Sequence, residues 1–164
     1  MENRKSLRLK EYDYSQPGYY YVTLCTYNKE CLFGYIADEV MVLNSKGKMV
    51  ETYWLKLLDK FPDVELVEFI VMPNHIHGII ILKERKSIYE DFNKFSKPIS
   101  CSLSTVINQF KASVTRWCNQ NDFKHFSWQK SFYEHIIRSE ASLASIREYI
   151  ANNPIKWELD EYYQ

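Results

Sequence analysis

Residues 64–82, VELVEFIVMPNHIHGIIIL, constrain the fold more than any other stretch of this chain. Two β-branched, apolar runs, Val64–Met72 and His75–Leu82, are separated only by Pro73 and Asn74. Strands joined by so short a connection pair antiparallel, as a hairpin. The second run is apolar enough for a buried strand, yet it opens with His75 and His77, half of the 4 histidines in the protein.

The other elements assemble around that hairpin. YYYVTLCTY (Tyr19–Tyr27), set off by Pro17 and Gly18, has the aromatic and β-branched content of a core strand. LFGYIADEVMVL offers two short alternating runs about residues 37–39, expected as a small accessory hairpin outside the core sheet. From Ser45 to Lys60, Val50, Trp54, Leu57, Leu58 and then Phe61 form one stripe of an amphipathic helix that Pro62 ends. Leu103, Val106, Ile107, Phe110, Val114 and Trp117 predict a second helix with Ser102 as its N-cap. FYEHIIR (residues 132–138) reads as the fourth core strand. Leu143, Ile146 and Ile150 mark a third helix stopped before Pro154. The order β-α-β-β-α-β predicts an α+β, ferredoxin-like antiparallel sheet with helices on one face, plus the accessory hairpin and a C-terminal helix.

At 164 residues the chain is sized for one domain, 1–164, with a basic N-terminal arm over residues 1–16 and a variable loop over residues 83–101. The 21 basic and 21 acidic residues cancel, so no overall basic footprint for nucleic acid exists. Their distribution is uneven: Arg4, Lys5, Arg8 and Lys10 oppose only Glu2 at the start, while WELDEYY near the end carries Glu158, Asp160 and Glu161. Cys25, Cys31, Cys101 and Cys118 have neither zinc-site nor disulfide spacing and are expected as reduced thiols. With a charged start and no apolar run of about 18 residues, a cytoplasmic location is expected.

The chemistry centres on the histidines. Residues two apart on a strand share a face, so His75 and His77 present two imidazoles to one side while Ile76 turns to the other, a geometry suited to two ligands of one metal ion. Alone, the pattern more often describes a pair of half-buried or surface histidines. On the third helix Tyr149 and Asn153, spaced i, i+4, also share a side. Asn153 could complete a three-ligand site with open positions, with Tyr149 about one helical pitch away, ~5–6 Å, in reach of a metal-held phosphate. As an isolated pair, without the histidines, they read rather as an edge residue and a helix stop.

VMPNHIHGII, WQKSFYEHIIR and SIREYIANNPIKW, with YDYSQPGYYYVTLCT and the segment from LFGYI to MVLNSKGKMVETYW, closely resemble the REP-associated tyrosine transposases, a branch of the single-tyrosine HUH transposases. The resemblance covers nearly the whole chain, and the family's ferredoxin-like fold agrees with the order read above. It implies His75 and His77 as metal ligands, Tyr149 as nucleophile, and Asn153 in a third-ligand place that related proteins fill with glutamine. It implies cleavage and rejoining of single-stranded, hairpin-containing repeat DNA through a 5′-phosphotyrosine link. Ligand softness favours Mn²⁺ or Zn²⁺ over Mg²⁺; the resemblance implies Mg²⁺ or Mn²⁺.

Candidate DNA contacts are Arg4, Lys5 and Arg8 on the arm, Lys111 and Arg116 on the second helix, and Arg138 after the last core strand. Of the 13 Tyr, 9 Phe and 4 Trp, Tyr12, Tyr14 and Tyr89 lie in polar segments where they could stack on unpaired bases. Two other readings use the same residues: a non-catalytic single-strand or hairpin binder, in which the histidines are incidental, and a metal-dependent hydrolase, in which Tyr149 is a bystander. Monomer and homodimer are equally compatible with the sequence.

Overall fold

A computed structural model describes residues 13–84 and 101–163. Four strands form the core sheet: β1 (Gly18–Cys25), β4 (Val64–Val71), β5 (His75–Leu82) and β6 (Tyr133–Ile137). They lie in the order β4-β5-β1-β6 with every neighbouring pair antiparallel. This is the ferredoxin-like arrangement expected from the element order. The accessory hairpin, β2 (Gly34–Ala37) and β3 (Val40–Leu43), makes a separate two-stranded sheet. Its turn residues Asp38 and Glu39 have φ of 49° and 63°, the pair of positive φ angles that a tight two-residue hairpin turn demands.

The expected first helix is divided in two, α1 (Ser45–Leu55) and α2 (Leu57–Lys60). At Lys56 ψ opens to −7°, and its N–H is shared between the Thr52 and Trp54 carbonyls. The second helix, α3 (Leu103–Gln120), starts where Ser102 accepts from the Thr105 N–H at 3.2 Å. The last, α4 (Glu140–Asn152), starts in the same way at Ser139. No helix among the described residues is long and apolar enough to cross a membrane.

Strand alternation sends the two sides of β5 to different cores. Ile76, Ile80 and Leu82 join Tyr20, Val22 and Leu24 beneath α1 and α3. Ile79 faces the other way and packs with Tyr21, Ile137 and Ile150, with Leu143 and Ile146 of α4 against them. The two crossover helices therefore share one face and α4 covers the opposite one. That covering is what buries a strand on both sides.

Gly78 lets the first core close. Trp54 of α1 lies across it and meets Phe110 of α3 edge-on at 5.1 Å, so one indole ties both crossover helices to β5. A methyl at Gly78 would stand 2.4 Å from Cζ2 of Trp54, so the ring would have to move. Gly78→Ala is expected to cost about 1–3 kcal/mol, read from the urea midpoint, with part recovered when Trp54→Phe is added. An unchanged midpoint would show that the indole is not seated on Gly78.

Candidate metal and nucleophile site

His75 and His77 are both fully buried on the α4 face of β5. Asn74 sets the proton on the first of them. Its Nδ2 donates to the carbonyls of Lys29 at 2.9 Å and Tyr162 at 2.8 Å, so the amide oxygen must face His75 Nδ1, 2.8 Å away. An imidazole facing that oxygen carries its proton on Nδ1 and leaves Nε2 bare, the form in which histidine binds metals.

His77 is held differently. Its Nδ1 lies 2.8 Å from the Tyr21 hydroxyl and 2.9 Å from Thr23 Oγ1, and a hydroxyl can donate or accept. The two Nε2 atoms stand 2.9 Å apart. Two bare nitrogens repel at that distance, so either His77 places a proton between them or a cation does. The hydroxyl pair accommodates both cases, because His77 can move its proton to Nδ1 when a cation takes its place. Asn74→Ala is expected to weaken Mn²⁺ binding about 10- to 100-fold by freeing the His75 tautomer. Titration calorimetry measures it, and unchanged affinity would remove Asn74 from that role.

Burial keeps both rings neutral. It pulls His75 down to about 3, helped by the Lys29 charge and opposed by the Asn153 side chain; His77 also falls well below its ordinary value, through burial and then its neighbour His75. The unfolded chain binds protons near pH 6.5 that the folded site refuses. Stability is thus complete above that pH and lost as pH falls towards 3. For metal-free protein the loss at pH 5 is about 2 kcal/mol from His75, with a further loss from His77 in the same direction. Urea melts at pH 7.5 and 5 test this, and His77→Ala should flatten part of the slope.

Helix α4 and the segment after it bring the remaining groups. Asn153, the C-cap of α4, is 1 % exposed; its Nδ2 donates to Asp160 Oδ2 at 2.8 Å, while its buried Oδ1 has no hydrogen-bond partner among the described residues. A buried acceptor left unpaired is costly, and one beside the bare Nε2 of His75 suits a cation. The chain then turns through a 3₁₀ segment, Trp157–Leu159, and Asp160 comes back over the histidines. Donor atoms of His75, His77 and Asp160 all lie within 4.8 Å of one another. Asp160 Oδ1 accepts from the Tyr162 N–H at 2.7 Å, and the Tyr162 ring closes the site 4.7 Å from His75.

Tyr149 stands at the mouth. Its ring is 5.3 Å from that of His77 and 41 % exposed, and its hydroxyl donates to Asp160 Oδ2 at 3.2 Å. Burial, with the Asp160 carboxylate, pushes the phenol up to about 12. Left to itself it is protonated at neutral pH, so it becomes a nucleophile only if its proton is taken as it reacts.

A family model described as "Transposase IS200 like" matches residues 13–153, a span from the first described residue to Asn153. The chain belongs to this family of Y1 tyrosine transposases. An uncharacterized protein of Haemophilus influenzae (strain ATCC 51907 / DSM 11121 / KW20 / Rd) is 41 % identical over 175 residues, covering 99 % of this chain and 94 % of its own. A second protein of that organism, named as a candidate REP-associated tyrosine transposase, is 25 % identical over 88 % of this chain and 74 % of its own. Among solved structures, a REP-associated tyrosine transposase bound to a REP hairpin superposes with a TM-score of 0.62 at 21 % identity, covering 94 % of this chain and 77 % of that one. It shares the fold. As a Y1 transposase the chain has an HUH-type, nucleic-acid-acting role, with His75, His77 and Asp160 as a candidate metal triad.

Within this transposase, His75, His77, Tyr149 and Asn153 converge, while Lys111, Arg116 and Arg138, the described residues singled out for DNA, do not. The Lys111 ammonium is occupied internally by the carbonyls of Gln129 at 2.8 Å and Ser131 at 3.3 Å, and burial pulls it down to about 8. Arg116 is exposed on α3, across the sheet from the histidines. Arg138 follows β6 at the far end of the sheet, where Ile137 pairs Tyr19 while His77 pairs Thr23. That is about 17 Å along the strands. Arg4, Lys5, Arg8, Tyr12 and Tyr89 lie outside the described residues, and Tyr14 packs on Tyr20 with rings 6.2 Å apart.

Asp160, Asn74, Tyr21 and Thr23 carry no such signal in the sequence. Asp160 sits in the acidic run WELDEYY, which no periodic spacing ties to the histidines. The aromatic residues beside it, Trp157 and Tyr162, were the available clue, since both rings pack against His75.

Proposed function

We propose that this chain cleaves and rejoins single-stranded DNA flanking a hairpin, with Tyr149 as the nucleophile and a divalent ion held by His75 and His77. The observation that carries the reading is a half-exposed tyrosine hydroxyl beside two buried, neutral imidazoles whose Nε2 atoms face each other at 2.9 Å. The hairpin is suggested by the ligand of the structural neighbour, a transposase bound to a REP hairpin.

The donor set fits a metal. His75 Nε2, His77 Nε2, the unpaired Asn153 Oδ1 and the Asp160 carboxylate offer two nitrogens and two oxygens. Imidazole nitrogens mixed with carboxylate and amide oxygens would suit Mn²⁺, and Mg²⁺ is the other ion that the resemblance implies. When bound, such an ion supplies Lewis-acid charge to the scissile phosphate.

The residues of the chain do the rest. Asp160 Oδ2, already the acceptor of the Tyr149 hydroxyl, takes its proton as the phenolic oxygen bonds to phosphorus. The P–O3′ bond breaks, and the departing 3′ oxygen takes up a proton from solvent water to become a free 3′-OH, leaving the 5′ phosphate on Tyr149. Rejoining reverses each step: a 3′-OH attacks, and Tyr149 recovers its proton from Asp160. Asn153 and the Tyr162 N–H fix the carboxylate in place for both directions.

The test is to incubate the protein with a labelled hairpin carrying single-stranded flanks and Mn²⁺, then denature. A protein–DNA adduct that resists denaturation is expected. Cleavage with no adduct would favour a hydrolase, and binding with no cleavage a non-catalytic reader.

A further inference from the structure

The aromatic contacts that begin at the buried histidines continue outward to an open edge of the sheet. The Tyr21 ring stacks on His77 at 5.6 Å, and both Tyr149 and Tyr133 meet it edge-on, at 6.5 and 6.1 Å. Tyr133 belongs to β6, an edge strand, and pairs Thr23, which itself pairs His77. It therefore lies in the same row and on the same face as His77, two strand spacings away, about 10 Å. Two residues on, His135 pairs Tyr21 on that face.

Neither side chain serves the core. Tyr133 is 39 % exposed and His135 is exposed, beyond the residues that α4 covers. Exposed edge strands are ordinarily blunted by charge or proline; this one instead shows an aromatic ring and an imidazole to solvent, in line with the exposed Tyr149. Exposed Lys130 stands just before the strand, where the neighbouring Gln129 N–H is bonded to the Cys25 carbonyl at the histidine end of the sheet. Flat rings in a row beside a cation are the composition of a single-strand platform, on which bases stack regardless of sequence while the backbone meets positive charge.

We propose that Tyr133 and His135 form a stacking ledge for the unpaired bases next to the phosphate that Tyr149 attacks. The ledge lines up a flexible strand so that the scissile phosphate falls between the histidines and the Tyr149 hydroxyl, and it rejects duplex, whose bases are already stacked. It rests on the reading of this centre as a single-stranded DNA transferase, and supplies the orientation that reading lacks near the site.

The test uses the full chain carrying Tyr149→Phe, so that binding is read without cleavage, and a fluorescein-labelled oligothymidylate against a duplex of equal length. Adding Tyr133→Ala should weaken single-strand binding about tenfold, and His135→Ala about threefold, with duplex binding unchanged. Tyr133→Trp should restore binding, which a merely structural role for the phenol would not do. Irradiating a strand substituted with 5-iodouracil should crosslink it to Tyr133. Single-strand affinity unchanged by Tyr133→Ala, or a crosslink that maps elsewhere, overturns the ledge. If the Tyr149→Phe parent binds the strand and Tyr133→Ala binds it equally, the ledge alone fails; if the parent does not bind at all, the transferase reading fails with it.

Discussion

Tyr149→Phe is expected to abolish the covalent protein–DNA adduct and to lower cleavage by on the order of 10⁴-fold or more, since the substitution removes the attacking atom itself. The change deletes one oxygen from a side chain that is 41 % exposed and gives up a single 3.2 Å hydrogen bond to Asp160. The melting temperature should therefore stay within a few degrees of the parent. The ring still stands against His77 and Tyr21, so strand binding should survive. A denaturation-resistant adduct in the variant would refute the assignment and direct attention to Tyr162 or Tyr21. Burial works against both as nucleophiles, raising their phenols further above the ordinary value than that of Tyr149.

His77→Ala should remove Mn²⁺ binding from the measurable range and cost cleavage about 10³-fold or more, because two of the four donors are imidazoles and the site cannot close on one. The loss should be confined to metal and chemistry. Affinity for DNA, carried mainly by contacts to phosphate, should change by no more than about threefold. Calorimetry with Mn²⁺ and a filter-binding assay on the same preparation separate the two effects. Ordinary cleavage by this variant would take the histidine pair out of the mechanism. A loss of cleavage and DNA binding together would instead indicate a disrupted fold, which a urea melt would reveal.

Much of the fold can be read along the chain because its signals are local. β5 begins at His75 and ends at Leu82 as its apolar run does, and Ser102 caps α3 because a serine oxygen before an amphipathic stripe meets the first free N–H groups. The break at Lys56 is not marked in the same way: the apolar stripe passes through it without interruption. The face taken by α4 could not be derived from its own pattern either. Its stripe says that one side is buried, and the second apolar surface of the sheet is what determines where.

The candidate site divides along the same line. His75 and His77 share a face because a strand alternates, and Tyr149 and Asn153 share a side because a helix turns; both are properties of spacing. Local sequence therefore set the pairing within each couple, and the family resemblance singled out these four residues as candidates for the centre. That the couples meet, and that a carboxylate joins them, is a matter of the chain crossing itself. Asp160 reaches the histidines because the chain folds back after α4, and Asn74 orients His75 only because the carbonyls of Lys29 and Tyr162 converge on its amide. Such contacts link residues 45 and 88 positions apart, and no periodicity encodes them. Their burial gives them their chemistry: the same imidazoles at the surface would titrate near neutrality, and here they stay neutral and ready to bind a cation.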